Sequence, residues 1–141
     1  MSNPFNFSVE FEHLINRLAC ATTRLCSAQE AQWVVKAAQE RFVVDSPRAW
    51  WLSLKLKPAI FPYPTGDGFQ HLREHAPAHA EKCWLVLETE TTAKPVAEID
   101  ILLAPTILGE LPHIDYYLID KDFAWLIIEN DHNAVLVCSE P

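Results

Sequence analysis

The chain has 141 residues, of which half are hydrophobic and 21% are charged, a composition typical of a folded domain and not of a disordered segment. Its formal net charge is −8. The negative charge is concentrated from residue 81 onward, where there are three Lys/Arg and twelve Asp/Glu, whereas residues 1–80 contain eight Lys/Arg and seven Asp/Glu. An acidic surface repels phosphates, which argues against nucleic acid as a partner. No apolar run approaches the roughly 20 residues that cross a bilayer, which argues against a membrane protein.

The length predicts a single domain over residues 1–141, with a helical part over 1–45 and a mainly β part over 46–141. The first eight residues have neither the charged region nor the apolar region of a signal peptide. A chain of this size builds a core without disulfides. We therefore expect a cytoplasmic protein with reduced, mostly buried thiols at Cys20, Cys26, Cys83 and Cys138.

Two helices are predicted at the N-terminal end. Apolar residues at helical spacing over Phe11–Leu18 indicate a helix that begins near Ser8. Ser27 and Glu30 form a capping box, which marks the start of a second helix with its inner face over Ala31–Phe42. Two short helices in succession predict an antiparallel hairpin packed on a larger element.

Strands are predicted in the rest of the chain. The alternation over Arg48–Lys57 indicates a strand, followed by an irregular extended segment that contains three prolines. A third short helix is expected to begin at Asp67 and to end by Pro77, and a helical turn is expected at Pro105–Leu111. Five further strands are predicted at Cys83–Glu90, Val96–Leu103, Asp115–Asp120, Phe123–Glu129 and Ala134–Ser139. The fold class is therefore α+β: an N-terminal helical hairpin packed on a mainly antiparallel sheet that ends in a three-strand meander.

Three groups of residues have spacings that are found in metal-binding or catalytic sites, and each group also has a purely structural interpretation. His71, His75, His79 and Cys83 are four apart, a metal-binding spacing on a continuous helix, but Pro77 interrupts that helix. We therefore predict no metal site and no cofactor.

Carboxylates form the other two groups. Glu98 and Asp100 share one face of a strand, as in a catalytic pair or in any half-exposed strand. The segment from Glu129 to His132 could hold a base and its orienting group, or could simply form a tight turn. We favour the structural interpretation of both and assign no catalytic residue.

The C-terminal third carries a resemblance. Tyr116-Tyr117-Leu118, then Trp125-Leu126, then Glu129-Asn130 and a turn containing His132 resemble a small bacterial family of uncharacterised function. Trp50-Trp51 is similar to a Trp-rich segment of that family. Some members accompany toxin-immunity proteins, so the resemblance implies a small, acidic, cytosolic binding protein. It implies no catalytic residues, and Asp131 stands where the family has His.

These observations favour a non-catalytic protein of the immunity type, which binds a basic protein such as a toxin through its acidic C-terminal half. Two alternatives stay open: a ligand-binding domain or enzyme with its site at the Glu129–His132 turn, and a self-associating subunit with exposed aromatic residues. The sequence does not fix the oligomeric state. The candidate partner-binding residues are Asp115, Tyr117, Asp120, Asp122, Trp125, Glu129, Asp131 and His132.

Overall fold

The computed structural model describes residues 7–20, 22–45, 47, 49–89, 93–112 and 114–139. Within these residues, seven strands form one antiparallel sheet in the order β1-β4-β3-β5-β6-β7-β2. The strands are β1 (Arg24–Leu25), β2 (Ala59–Pro62), β3 (Lys82–Leu87), β4 (Val96–Asp100), β5 (Tyr116–Asp120), β6 (Trp125–Glu129) and β7 (Ala134–Ser139). The helices are α1 (Phe7–Leu18), α2 (Ala28–Phe42), α3 (Leu72–His75) and α4 (Ala104–Gly109). The predicted α+β class is confirmed, and so is the meander, which is formed by β5, β6 and β7.

Helices cover both faces of the sheet. Successive strand residues point to opposite faces, so Leu118 and Ile127 pack in one cluster with α1, whereas Ile119 and Ile128 pack in another with α2. The two N-terminal helices thus pack on opposite faces of the sheet and do not form the predicted hairpin with each other. We call these surfaces the α1 face and the α2 face. Because both are covered, the central strands are apolar on both sides and read as continuous hydrophobic runs.

The start of α2 follows the predicted capping pattern. The Ser27 side chain accepts a hydrogen bond from the Glu30 backbone amide at 3.1 Å. The Glu30 carboxylate also forms a bidentate ion pair with Arg24 of β1, at 2.7 and 2.8 Å. The cap and the ion pair together fix α2 relative to the sheet edge.

The strand predicted at Arg48–Lys57 is wrong. Trp50–Leu52 forms a single turn of 3₁₀ helix, and Leu54 makes only an isolated bridge to Val43. The Trp50 ring stacks on Tyr117 with 4.1 Å between centroids, and the Trp50 amide donates to the Tyr117 hydroxyl at 3.2 Å. These long-range contacts on the α2 face override the local alternation.

Strand β2 was expected to be irregular but forms an edge of the sheet beside β7. The Tyr63 amide donates to Asn133 O of the neighbouring segment at 2.7 Å, so amides of alternate residues point the other way, away from β7. Pro58 and Pro62 occupy those outward positions and have no amide hydrogen to offer. Prolines are tolerated on an edge strand for this reason, and they discourage pairing with a further strand.

Two turns mark the opposite ends of the meander. Residues 121–124 join β5 to β6, and we call this the Asp122 end of the sheet. Residues 130–133 join β6 to β7, and we call this the His132 end. Phe123 and Asn133 both have positive φ, 59° and 57°. The Asn130 side chain accepts hydrogen bonds from the amides of His132 and Ala134, so this segment is the tight turn that its composition favours.

Candidate functional site

The predicted acidic residues divide between the two ends of the sheet. Asp120 and Asp122 lie at the Asp122 end, whereas Asp115 and Asp131 lie at the His132 end. A five-residue strand separates the two ends by about 15 Å. Asp115 also accepts a hydrogen bond from the Trp51 indole at 3.2 Å. These carboxylates therefore do not form one continuous acidic surface.

The two aromatic residues proposed as exposed anchors are buried. Tyr117 is 0% exposed and Trp125 is 4% exposed. The Tyr117 hydroxyl donates to Glu88 at 2.5 Å, and burial together with this carboxylate raises the Tyr117 pKa far above its ordinary value. Because helices cover both faces of the sheet, both rings lie in the core and neither can contact a partner at the surface. The prediction that Tyr117 and Trp125 are exposed anchors is therefore wrong.

Glu129 and His132 are close in sequence but belong to different surroundings. Glu129 is 4% exposed and points into the α1 face, where the Tyr116 hydroxyl donates to its Oε1 atom at 2.7 Å. The His132 ring is largely exposed and makes an edge contact with Trp51, which packs on the α2 face. The turn therefore separates Glu129 from His132, and the only carboxylate of the segment near the imidazole is that of the exposed Asp131, whose Oδ1 lies 3.5 Å from His132 Nε2 among the described residues.

The carboxylates of Glu98 and Asp100 also act separately. Glu98 is 8% exposed and is paired with Arg24 at 2.9 Å and with Lys121. Burial opposes ionisation of Glu98, but the hydrogen bond and charge of Lys121, with Arg24, lower its pKa overall. Asp100 instead accepts a hydrogen bond from the Leu102 amide at 2.9 Å. This arrangement is an ion-pair network and a turn cap.

The histidine series does not form one ladder, because α3 spans only Leu72–His75. His71 contacts Glu74 at 2.6 Å and Asp67 at 3.2 Å, and these hydrogen bonds raise the His71 pKa. The His75 ring lies 2.6 Å from the Tyr63 hydroxyl, and burial lowers the His75 pKa. Across the part of the chain that the structure describes, no group of three or more His, Cys, Asp or Glu residues is arranged to hold a metal ion.

An exposed tryptophan that the sequence analysis missed stands at the Asp122 end. Trp33 of α2 is 55% exposed, yet its ring makes edge contacts with Trp84 and Phe123, with centroid distances of 6.3 and 5.6 Å. Lys121 lies 4.0 Å from the Trp84 ring centroid. Trp33 falls outside the apolar stripe of α2, and this position was the signal that could have identified it.

A pocket of about 220 Å³ opens on the α1 face at the His132 end. Its two polar side chains are Tyr116 and Glu129, which the sheet presents from adjacent strands. The segment after β2, the C-terminal end of α4 and the loop before β5 supply the remaining walls. Those residues are Gly66, Phe69, Leu108, Gly109, Leu111, Pro112 and Ile114.

The fold and these surfaces define an α+β protein with an antiparallel sheet between two helical layers. The chain belongs to a family of unknown function, DUF6756, whose model matches residues 6–141. Searches of curated proteins and of solved structures gave no match. Among the described residues, no helix has the length and apolar character needed to cross a membrane.

Proposed function

We propose that this protein is a non-catalytic, cytoplasmic binding protein of the immunity type, which engages a basic protein through the Asp122 end of its sheet. The observation that carries the proposal is Trp33, because its indole is held by two aromatic neighbours while more than half of its surface is exposed. A rigid, exposed tryptophan is a favoured anchor of protein interfaces, since little conformational entropy is lost on binding.

Charge supports a basic partner. Asp122 is exposed beside Phe123, so an acidic group borders the aromatic surface. The net charge of −8 draws a basic protein toward the molecule and speeds encounter. The free thiols of Cys26, Cys83 and Cys138 are buried, which supports the cytoplasmic part of the proposal.

Charge reversal at the two ends of the sheet tests the proposal. Tagged wild-type protein, Asp122→Lys and Asp131→Lys would each be used as bait in a low-salt lysate of the native host, followed by elution in rising salt. Asp131 is the matched control because it is also an exposed turn acid, but at the opposite end. We expect a basic protein that the wild type and Asp131→Lys retain, and that Asp122→Lys releases at lower salt. Equal retention by both variants would place the interface elsewhere.

A further inference from the structure

One wall of the pocket on the α1 face is a short segment of chain, residues 64–71, which we call the strap. It leaves the sheet edge after Tyr63, whose amide is bonded to the turn between β6 and β7, and it ends before Leu72, which is buried in the core. Gly66 and Phe69 of the strap line the pocket. Both ends of the strap are thus fixed in the fold, so any opening on this side depends on the contacts of the strap itself.

His71 ties the strap together through both of its ring nitrogens. Its Nδ1 atom lies 2.6 Å from Glu74 Oε2 in α3, and its Nε2 atom lies 3.2 Å from Asp67 Oδ2 in the strap. An ionised carboxylate can only accept hydrogen bonds, so both ring nitrogens have to donate, and the protonated imidazolium is the form of histidine with two N–H groups. The two contacts are therefore complete when the His71 ring is charged.

Loss of the His71 proton weakens the strap at two places. A neutral ring has one N–H group, so at one of the two contacts a nitrogen lone pair faces a carboxylate oxygen and the attraction is lost. The ring also stacks on Tyr63 with 5.0 Å between centroids, and a positive charge strengthens such a contact. The turn at Asp67 keeps the hydrogen bond from Thr65 at 2.9 Å, so the neutral ring loosens the strap and does not unfold it.

The neighbouring histidine, His75, responds to pH in the opposite direction. Its ring lies 2.6 Å from the Tyr63 hydroxyl and packs on Phe61, with 4.3 Å between centroids. Burial lowers the pKa of His75 below 6.5, and the charge of His71 acts in the same direction, although Glu74 opposes both. The hydrogen bonds of His71 to its two carboxylates raise its own pKa above 6.5. A change that begins above pH 6.5 and grows as the pH rises therefore belongs to His71.

We propose that the strap is a pH-sensitive wall of the pocket, which protonated His71 holds closed and neutral His71 allows to open. Opening of the strap admits solvent to Tyr116 and Glu129, the two polar groups that the sheet presents on the other side of the pocket. The device lies on the opposite face of the sheet from Trp33 and does not depend on the proposed protein interface.

Native-state hydrogen exchange, followed by NMR on the full chain from pH 6.5 to about pH 8.5, tests the proposal. The backbone amides of Gln70 and His71 form hydrogen bonds inside the strap and report its opening, once each rate is divided by the intrinsic exchange rate at that pH. The amide of Asn130, which is bonded within the turn between β6 and β7, is the internal reference. The pKa of His71 is measured by NMR on the same samples.

The same substitution at two histidines provides the matched pair. His71→Gln has no charge to lose, whereas His79→Gln removes an exposed histidine that lies outside the strap. In the wild type and in His79→Gln, we expect the opening of the strap to increase about threefold over this pH range, as is reasonable for partly exposed ionic contacts. The midpoint should coincide with the pKa of His71. In His71→Gln, the strap should already be open at pH 6.5 and show no further increase, and the Asn130 amide should not change in any of the proteins.

A wild-type strap whose opening does not change with pH would overturn the proposal, and so would an increase that persists in His71→Gln. Glu74→Gln keeps the test decisive if His71→Gln does not fold. That variant removes one of the two carboxylates at the His71 ring, so the pKa of His71 and the midpoint of opening should both move to lower pH. A midpoint that stays in place while the pKa of His71 moves would also overturn the proposal.

Discussion

Replacing Tyr117 with phenylalanine removes one hydroxyl from the interior of the α2 face and leaves the ring in place. That hydroxyl donates to Glu88 at 2.5 Å and accepts from the Trp50 amide at 3.2 Å. Loss of a hydrogen bond to a charged group costs about 1.5–3 kcal/mol, and a buried amide without an acceptor costs about 1–3 kcal/mol. Glu88 keeps its 2.7 Å ion pair with Lys94, which favours the lower half of the first range. We therefore expect Tyr117→Phe to lower the free energy of unfolding by about 3 kcal/mol.

Urea denaturation followed by circular dichroism measures this loss, and the melting temperature should fall by about 10 °C for a chain of this length. Tyr63→Phe is the control, because Tyr63 is only half-buried and bonds a histidine near the surface, so its loss should stay below about 1 kcal/mol. A Tyr117→Phe protein within about 1 kcal/mol of the wild type would refute the reasoning. That result would mean that the Tyr117 hydroxyl does not hold the Glu88 carboxylate and the Trp50 amide as described.

Three further predictions concern ionisable groups. Glu98→Gln should cost about 2 kcal/mol at neutral pH, because it removes the charge from the acceptor of the Arg24 and Lys121 hydrogen bonds. Since the folded-state pKa of Glu98 is depressed, urea titrations should show this difference disappearing as the pH falls below 4.5 and through the folded pKa. In an NMR titration, the pKa of His71 should lie above the ordinary value of 6.5 and the pKa of His75 below it. The stabilisation from His71 should therefore be present below pH 6.5 and be lost as the pH rises, whereas the stabilisation from neutral His75 should be present above pH 6.5 and be lost as the pH falls. Mass spectrometry should find a single alkylated cysteine, Cys20, when the native protein is treated with an alkylating reagent. Cys20 is exposed and a hydrogen bond with Thr22 lowers its pKa, whereas the other three thiols are buried and burial raises their pKa. Equal labelling of all four cysteines would contradict the core packing.

The fold could be predicted where a local signal and the tertiary structure agree. The capping residue Ser27 and the apolar runs of the meander indicated α2 and β5 to β7 near their observed positions. The alternation around Trp50 predicted a strand that does not form, because the stacking of Trp50 on Tyr117, 67 positions away, decides its conformation. The edge strand β2 was missed because Pro58 and Pro62 argue against a strand in general, although an edge tolerates them.

The candidate sites were less predictable because they depend on which face each residue occupies. Tyr117 was predicted to be exposed to a partner because the sequence does not reveal that helices cover both faces of the sheet. Glu129 was chosen for its turn, yet its environment is set by Tyr116 on the adjacent strand and by Gly68 from a distant segment. Such groupings come from strand register, which no spacing in the sequence encodes.

The central claim is that Trp33 anchors a basic protein partner, and replacing it with alanine tests that claim most directly. Ile60→Ala is the matched control, since Ile60 is similarly exposed, at 62%, but lies on β2 at the far edge of the sheet. With the partner recovered from the lysate, affinity for the two variants would be measured by calorimetry, together with their melting temperatures. We expect Trp33→Ala to weaken binding by about 30-fold or more, as a tryptophan hot spot requires, and Ile60→Ala to bind like the wild type. A folded Trp33→Ala protein that binds with unchanged affinity would contradict the account.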